Sequence, residues 1–247
     1  MAFGLEETVF SLDLMNRVRR SPPLYNAGVA VRDIASLLTG IRNGTFSQHG
    51  EDRYIAHYFE QRDTGFYLDI GASHPFRISN TYSLYRAGWH GVTVEPIPRL
   101  AKLHRRWRTR DELLPVAVGA TNGTVDFFEM TPSVLSTLDH AVADRYIAEG
   151  KAVLYRRYPI EVVAVNDVFE YAAASAPIDF VSIDIEGLDV SVLAAVDFVR
   201  FRPELICIEV NDAAVRQAAM ELFARARYKM LDQLGCNLLA ARIEATS

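Results

Sequence analysis

Phe66-Tyr67-Leu68-Asp69-Ile70-Gly71-Ala72-Ser73-His74-Pro75 is the stretch on which the fold turns. An apolar run ends on an acid and is followed at once by a glycine, which lets the backbone approach a ligand closely. Further on, Gly91-Val92-Thr93-Val94 reads as a second strand, and it ends on Glu95-Pro96. The spacing from Gly71 to Glu95 suits a strand–turn–helix–strand unit that holds an adenosine nucleoside, with the later acid taking both ribose hydroxyls. A carboxylate at the end of an apolar strand is costly unless it has partners. Asp69 and Glu95 are therefore candidate ligand-binding residues.

Outward from this unit the pattern alternates. Strands are expected at Phe66–Ile70, Val92–Glu95, Leu113–Val118, Val125–Phe128, Ile160–Val165, Ile178–Ile185 and Glu204–Val210. Helices are expected across Asn80–Ala87, Arg99–Arg108, Asp167–Ala174, Leu188–Val196 and Ala213–Ala226. Lys229–Leu231 and Asn237–Ala241 read as a closing pair of strands joined near Gly235. Strands alternating with helices imply a mostly parallel sheet with helices on both faces. Ser47 is a candidate N-cap for a helix running to about Glu60, with Glu51 and Asp52 favourable in its first turn. Residues 130–158 are polar, irregular and partly helical, a substrate-side insertion or flexible loop.

Residues 1–45 read as a helical extension and residues 46–247 as the main domain. Val9, Phe10, Leu12, Leu14, Met15 and Val18 give one apolar face, and Ser21-Pro22-Pro23 breaks it. A second helix is expected from about Val29 to Leu38, with Gly40 as its stop. This extension could cap a site or mediate contacts in a homo-oligomer.

With 247 residues, half of them hydrophobic, the chain can bury the core of one α/β domain. A net charge of −5 argues against a general nucleic-acid binder. The basic stretch from Lys102 to Arg110 reads as a solvated helix face. Cys207 and Cys236, both in apolar strand-like runs, suit reduced thiols in a cytoplasmic setting better than a disulfide framework. No apolar run reaches the length of a membrane span, and the N-terminus lacks the continuous apolar stretch of a signal peptide. Trp89 and Tyr85 are read as core.

Ligands of such sheets bind beyond the carboxyl ends of the strands. Four predicted strand ends carry acids: Asp69, Glu95, the pair Asp184 and Glu186, and Glu209 followed by Asn211-Asp212. The Gly-x-Gly-x-x-Gly fingerprint of a dinucleotide binder is missing, since Ser73-His74-Pro75 follows the single Gly71. An acidic rim suits a cationic ligand, and S-adenosylmethionine combines an adenosine with a sulfonium and an ammonium. Asp69 can face its methionyl portion and Glu95 its ribose.

Six motifs then occur in order: Ser47-Gln48-His49-Gly50-Glu51-Asp52, Tyr67-Leu68-Asp69-Ile70-Gly71-Ala72, Ser79-Asn80-Thr81, Gly88-Trp89-His90-Gly91, Val94-Glu95-Pro96 and Ser182-Ile183-Asp184-Ile185-Glu186-Gly187. As an ordered set, from about Phe46 to Asn211, they resemble the FkbM family of S-adenosylmethionine-dependent methyltransferases. The resemblance implies a class I methyltransferase (Rossmann-like) α/β fold, doubly wound, with a mostly parallel seven-stranded sheet and an antiparallel C-terminal strand. It implies a cofactor site built from Asp69, Gly71, Ser73, Asn80, Glu95, Pro96 and Asp184. It also implies O-methylation of a sugar or of a glycosylated secondary metabolite or glycolipid, so the partner is a small-molecule or glycan acceptor. An NAD(P)-linked oxidoreductase and a non-catalytic nucleoside-binding protein are the alternatives.

Methyl transfer from a sulfonium is an in-line displacement in which the protein mainly positions the reactants. An alcohol acceptor needs a base or a metal. His74, just past the cofactor turn, and Asp184 are the candidate catalytic residues, with His49 a weaker base. If Asp184 and Glu186 are i and i+2 on one strand, they share a face roughly 7 Å apart. With Glu209 they could then hold Mg²⁺. Ser136-Thr137 in the insertion is a candidate acceptor contact.

Overall fold

The computed structural model describes residues 35–244. The chain divides into two compact units, Met1–Thr45 and Phe46–Ser247. Of the first unit the described part is a helix at residues 35–43. It runs through Gly40, so the expected stop there is corrected: the turn comes at Gly44, whose φ is +67°. The apolar face at residues 9–18, the break at residues 21–23 and the start of the second helix lie outside the described residues.

The second unit begins with α1 (Glu51–Tyr58), β1 (Phe66–Ile70), α2 (Tyr82–Arg86), β2 (His90–Val94), α3 (Pro98–Trp107) and β3 (Glu112–Leu114). It continues through β4 (Ala117–Gly119), β5 (Gly123–Thr131), a 3₁₀ turn (Ser133–Leu135), α4 (His140–Ala148), β6 (Val153–Ala164) and α5 (Val165–Ala173). It closes with β7 (Phe180–Ile183), α6 (Asp189–Ala195), β8 (Leu205–Glu209), α7 (Ala213–Arg225), β9 (Tyr228–Leu234) and β10 (Asn237–Arg242).

The main sheet has seven strands in the order β3-β2-β1-β7-β8-β10-β9. β3, β2, β1, β7 and β8 are parallel, and β10 is antiparallel to both of its neighbours. The order reverses between β1 and β7, which opens a crevice where both strands end. β1 lies at the centre and is buried along its whole length. The two-residue period of the strand sends Phe66, Leu68 and Ile70 into the apolar core formed with α5, α6 and α7. Tyr67 and Asp69 take the opposite face, where a polar network waits for them.

A second, three-stranded sheet, β4-β6-β5, was not expected. The single strand expected at Leu113–Val118 is two: β3 joins the main sheet and β4 the second one. The break falls at Pro115, which has no N–H to continue a ladder. The segment expected to be irregular or flexible is likewise ordered. β5 and β6 form a long antiparallel arm, with α4 and the 3₁₀ turn between them. Phe127 fixes the arm against Ile97 and Leu100, and Phe128 and Met130 pack on Val142, Ala143 and Tyr146 of α4.

Two local expectations change. Gly50, at φ +89°, rather than Ser47, occupies the N-cap of α1. Glu51 and Asp52 stand in its first turn as expected, and both are fully buried. Asp52 accepts from the Phe46 N–H, Ser47 Oγ and Ser83 Oγ, and Glu51 accepts from the His49 N–H and Asn237 Nδ2. In the basic stretch, Lys102, Arg105, Arg106 and Arg110 are exposed as expected, but Arg108 is buried. Trp89 and Tyr85 are core residues, and both cysteines are free thiols.

Candidate active site

A cleft of about 510 Å³ opens beyond the carboxyl ends of β1, β2, β7 and β8. Its floor is Ile70, Gly71, Ser73, Val94 to Ile97, Asp184 to Glu186, Glu209, Asn211 and Asp212. Ser133 to Leu138 and Arg145, Tyr146, Glu149 and Lys151 wall it from the arm and α4. Val116, Ala117, Val118 and Phe127 supply an apolar side suited to a flat base.

The glycine turn is built by the sheet itself. The N–H groups of Gly71 and Ala72 donate to the Val94 carbonyl at 3.0 Å, and the Asp184 N–H donates to the Ile70 carbonyl at 3.0 Å. Gly71 sits at φ +83°, and a Cβ there would lie 1.8 Å from the Asp184 carbonyl oxygen. Only glycine lets the two strand ends close this tightly. Ser73 follows at φ +49°, its carbonyl accepting from His104 Nε2 at 3.0 Å. Glu95 is 3 % exposed and accepts the Ile97 N–H at 2.6 Å. Burial raises its carboxyl to about 8, against the lowering effect of the Ile97 and Ser73 N–H groups. Pro96 lines the cleft beside it.

Four expected site residues, Asp69, Asn80, His74 and His49, are absent from the cleft lining. Asp69 is not part of the cleft wall. Its Oδ2 accepts from Thr81 Oγ1 at 2.5 Å, and Thr81 in turn accepts from the buried Arg108 at 3.0 Å. Arg108 also binds Asp111, Tyr67 Oη and the Pro75 carbonyl. Burial raises Asp69 to about 6, with Thr81 and Arg108 pulling it down. This acid ties β1 to the residues that flank α2 and α3. Asn80 donates to Ser182 Oγ at 3.1 Å, again outside the cleft lining. His74 is 4 % exposed, packs edge-on against Phe76 and takes the Phe76 N–H on Nδ1 at 3.4 Å, away from the cleft lining. His49 packs against Gly235, where a Cβ would come within 2.1 Å of its ring.

The acids after β7 and β8 do converge. Asp184, Asp189 and Glu209 each bring a carboxylate oxygen within 4.8 Å of the others. Burial and the negative charges of Glu209 and Glu186 raise Asp184 well above the usual carboxylate range. Glu209, raised by burial, accepts from Asn211 Nδ2 at 2.9 Å. Asp189, raised to about 7 by burial, accepts the N–H groups of Ile185 and Gly187. Asp212 caps α7 through the Val215 N–H.

Glu186 departs from the expected geometry. β7 ends at Ile183, so Asp184 and Glu186 are not alternate residues of one strand. Glu186 turns at φ +54°, and its Oε2 accepts from Tyr146 Oη at 2.6 Å. Burial raises it to about 8, with Glu209 adding to the rise. Asp189 therefore takes the place foreseen for Glu186 in the converging set. Thr137 Oγ1 donates to the Glu186 carbonyl at 2.7 Å, and Ser136 Oγ accepts the Met130 N–H, so the Ser136-Thr137 pair braces the wall. Asp189 and Tyr146 were missed. The first was readable as an acid at a helix start, whereas the second carries no signal until the arm folds over β7.

The reversed sheet order, the antiparallel β10 and a glycine turn beside a carboxylate at the second strand end define a class I S-adenosylmethionine-dependent methyltransferase. The methyltransferase FkbM domain model matches residues 69–235, so the chain belongs to that family, and the NAD(P)-linked alternative is set aside. A search of curated proteins found no match. Among solved structures, the chain is similar to the Burkholderia thailandensis 1,6-didemethyltoxoflavin-N1-methyltransferase with bound 1,6-didemethyltoxoflavin and S-adenosylhomocysteine. The identity is 15 %, 91 % of each chain is covered and the TM-score is 0.40. Among the described residues no helix is long and apolar enough to cross a membrane.

Proposed function

We propose that this methyltransferase transfers the methyl group to a hydroxyl oxygen of a sugar or glycosylated metabolite. The observation that carries the reading is that Asp184, Glu186 and Glu209 line the same cleft as the Gly71 turn and Glu95. Glu95 takes the ribose hydroxyls, and the backbone of Gly71 and Ser73 receives the methionyl portion. Pro96 and the apolar side of the cleft flank the adenosine. Neighbouring sugar hydroxyls donate to the carboxylates after β7 and β8, and one of them, Asp184, takes the proton of the attacking oxygen. Burial and the surrounding acids raise its pKa, which makes its carboxylate the stronger base. His74 has no part in this reading, because it is buried away from the cleft lining.

The oxygen donors of Asp184, Asp189 and Glu209 also fit a hard cation such as Mg²⁺. Bound there, the ion would lower the pKa of a hydroxyl it touched. Chelation with EDTA followed by restored Mg²⁺ decides its role: activity indifferent to both excludes the ion.

The test of the reading is an acceptor panel with isotope-labelled S-adenosylmethionine, in which sugars and glycosides are paired with amine counterparts and the product methyl is located by NMR. Transfer to oxygen, lost in Asp184→Asn with S-adenosylhomocysteine affinity kept, is expected. Transfer to nitrogen alone overturns the reading.

A further inference from the structure

We propose that His104 is a positioning residue for the methyl donor: from α3 it holds the Ser73 backbone in the shape the donor meets. The proposal rests on the donor placement above, with Glu95 on the ribose and the backbone of Gly71 and Ser73 on the methionyl portion, and not on the acceptor.

The loop after β1 is bent at three positive φ angles, Gly71 at +83°, Ser73 at +49° and Ile78 at +52°, and all three residues line the cleft. A residue other than glycine persists in that region only where its surroundings fix it, and such residues gather at ligand clamps. For Ser73 the fixing comes from α3. Its carbonyl accepts from His104 Nε2 at 3.0 Å. One turn on, at the end of α3, Arg108 Nη1 donates to the Pro75 carbonyl at 2.9 Å. Arg108 is itself held by Asp111 and by Tyr67 Oη, so the helix end that grips the loop is anchored to β1. His104 and Arg108 are i and i+4, neighbours on one face of the helix.

The histidine is spent on this contact. It is buried, and burial together with the charge of Arg108 lowers its pKa to about 3, so the ring is neutral and carries one N–H. That N–H goes to Ser73, while Nδ1, also buried, has no hydrogen-bond partner among the described residues. A buried acceptor without a partner costs stability, so packing alone would favour an apolar side chain here. The other end of Ser73 faces the ribose acid: its N–H, with that of Ile97, draws the Glu95 carboxyl down. Holding Ser73 by its carbonyl therefore also sets an N–H against Glu95.

The test is calorimetric titration of S-adenosylhomocysteine into the full chain, with melting temperature as the fold control. His104→Leu is expected to bind about tenfold more weakly, the loss of one hydrogen bond that shapes the site. His104→Gln sets an amide N–H where Nε2 stood and is expected to return to within about threefold of the parent chain. In a Glu95→Ala background the Ser73 N–H has no carboxylate to meet, and His104→Leu is expected to weaken binding by less than about threefold. Should His104→Leu fail to fold, His104→Asn takes its place, since its shorter amide falls short of the carbonyl. A merely structural histidine would lower the melting temperature and leave the affinity of the folded chain unchanged, or would give losses that add to those of Glu95→Ala. Full affinity in the folded variant, no recovery in His104→Gln, additive losses, or failure of both His104→Leu and His104→Asn to fold each overturns the proposal. Glu95→Ala binding as tightly as the parent chain would overturn the donor placement and the proposal with it. Loss in Glu95→Ala with none in His104→Leu strikes the proposal alone. Oxygen transfer is judged separately by the acceptor panel.

Discussion

At the scale of single residues the chemistry depends on where burial leaves a carboxyl group. Glu95 is held near a pKa of 8 in the free protein because burial outweighs two backbone N–H groups. Ribose hydroxyls would add hydrogen bonds to the charged form and draw the pKa down. Binding of S-adenosylhomocysteine near neutral pH is therefore expected to release a proton, which appears as a dependence of the calorimetric enthalpy on buffer ionisation. Glu95→Gln should remove that dependence and weaken binding by about 1.5–3 kcal/mol, as expected for lost hydrogen bonds to a charged group. Gly71 tests the close approach of the two strand ends. In Gly71→Ala the new Cβ would meet the Asp184 carbonyl at 1.8 Å, at φ +83°. A loss of about 3 kcal/mol in stability and of measurable S-adenosylhomocysteine binding is expected, read by urea unfolding and calorimetry.

At the scale of elements the arm and α4 turn a generic sheet edge into an enclosed site. Three contacts hold them to the β7 turn: Tyr146 to Glu186 Oε2, Thr137 to the Glu186 carbonyl, and Val142 against Gly187. Tyr146→Phe leaves a buried carboxylate oxygen without its donor, at a cost of about 1–3 kcal/mol. A lowered melting temperature is expected, together with new proteolytic cleavage within residues 133–151. Stability loss without that cleavage would show that the tyrosine does not hold the wall. The arm was also the least legible element. The first five residues of β6, Val153 to Arg157, are all exposed, so no two-residue period of burial marks that half of the strand. β1 was legible because every residue in it is buried and a glycine ends it.

At the scale of the whole molecule the raised acids share one sign. Glu95 and Glu186 stand at about 8, Asp189 at about 7 and Asp69 at about 6, all above their ordinary values. For Glu95 the folded chain holds a proton between pH 4.5 and about 8 that the unfolded chain has released. Its contribution is thus fully present below 4.5 and lost as the pH climbs through 8. The melting temperature of the free protein is expected to fall on the order of several degrees from about pH 5 to about pH 8.5, and to fall less in Glu95→Gln. S-adenosylhomocysteine should flatten the slope, because it stabilises the charged form of Glu95 and adds stability by mass action.

The sequence by itself determined the alternation of strands and helices in the main sheet, the glycine turn, the carboxylate that closes the second strand and the family to which the chain belongs. These are properties of local periodicity and of short ordered motifs, which neighbouring residues carry. Only the tertiary structure decided which acids reach the cleft. The strand period puts Asp69 on the face toward Arg108, whereas Asp184, Glu186 and Glu209 line the cleft, Glu186 with its Oε2 on Tyr146, and Asp189 lies buried beside Asp184 and Glu209. Such choices depend on elements far apart in the chain meeting across a fold, and on the free energy of burying charge where they meet.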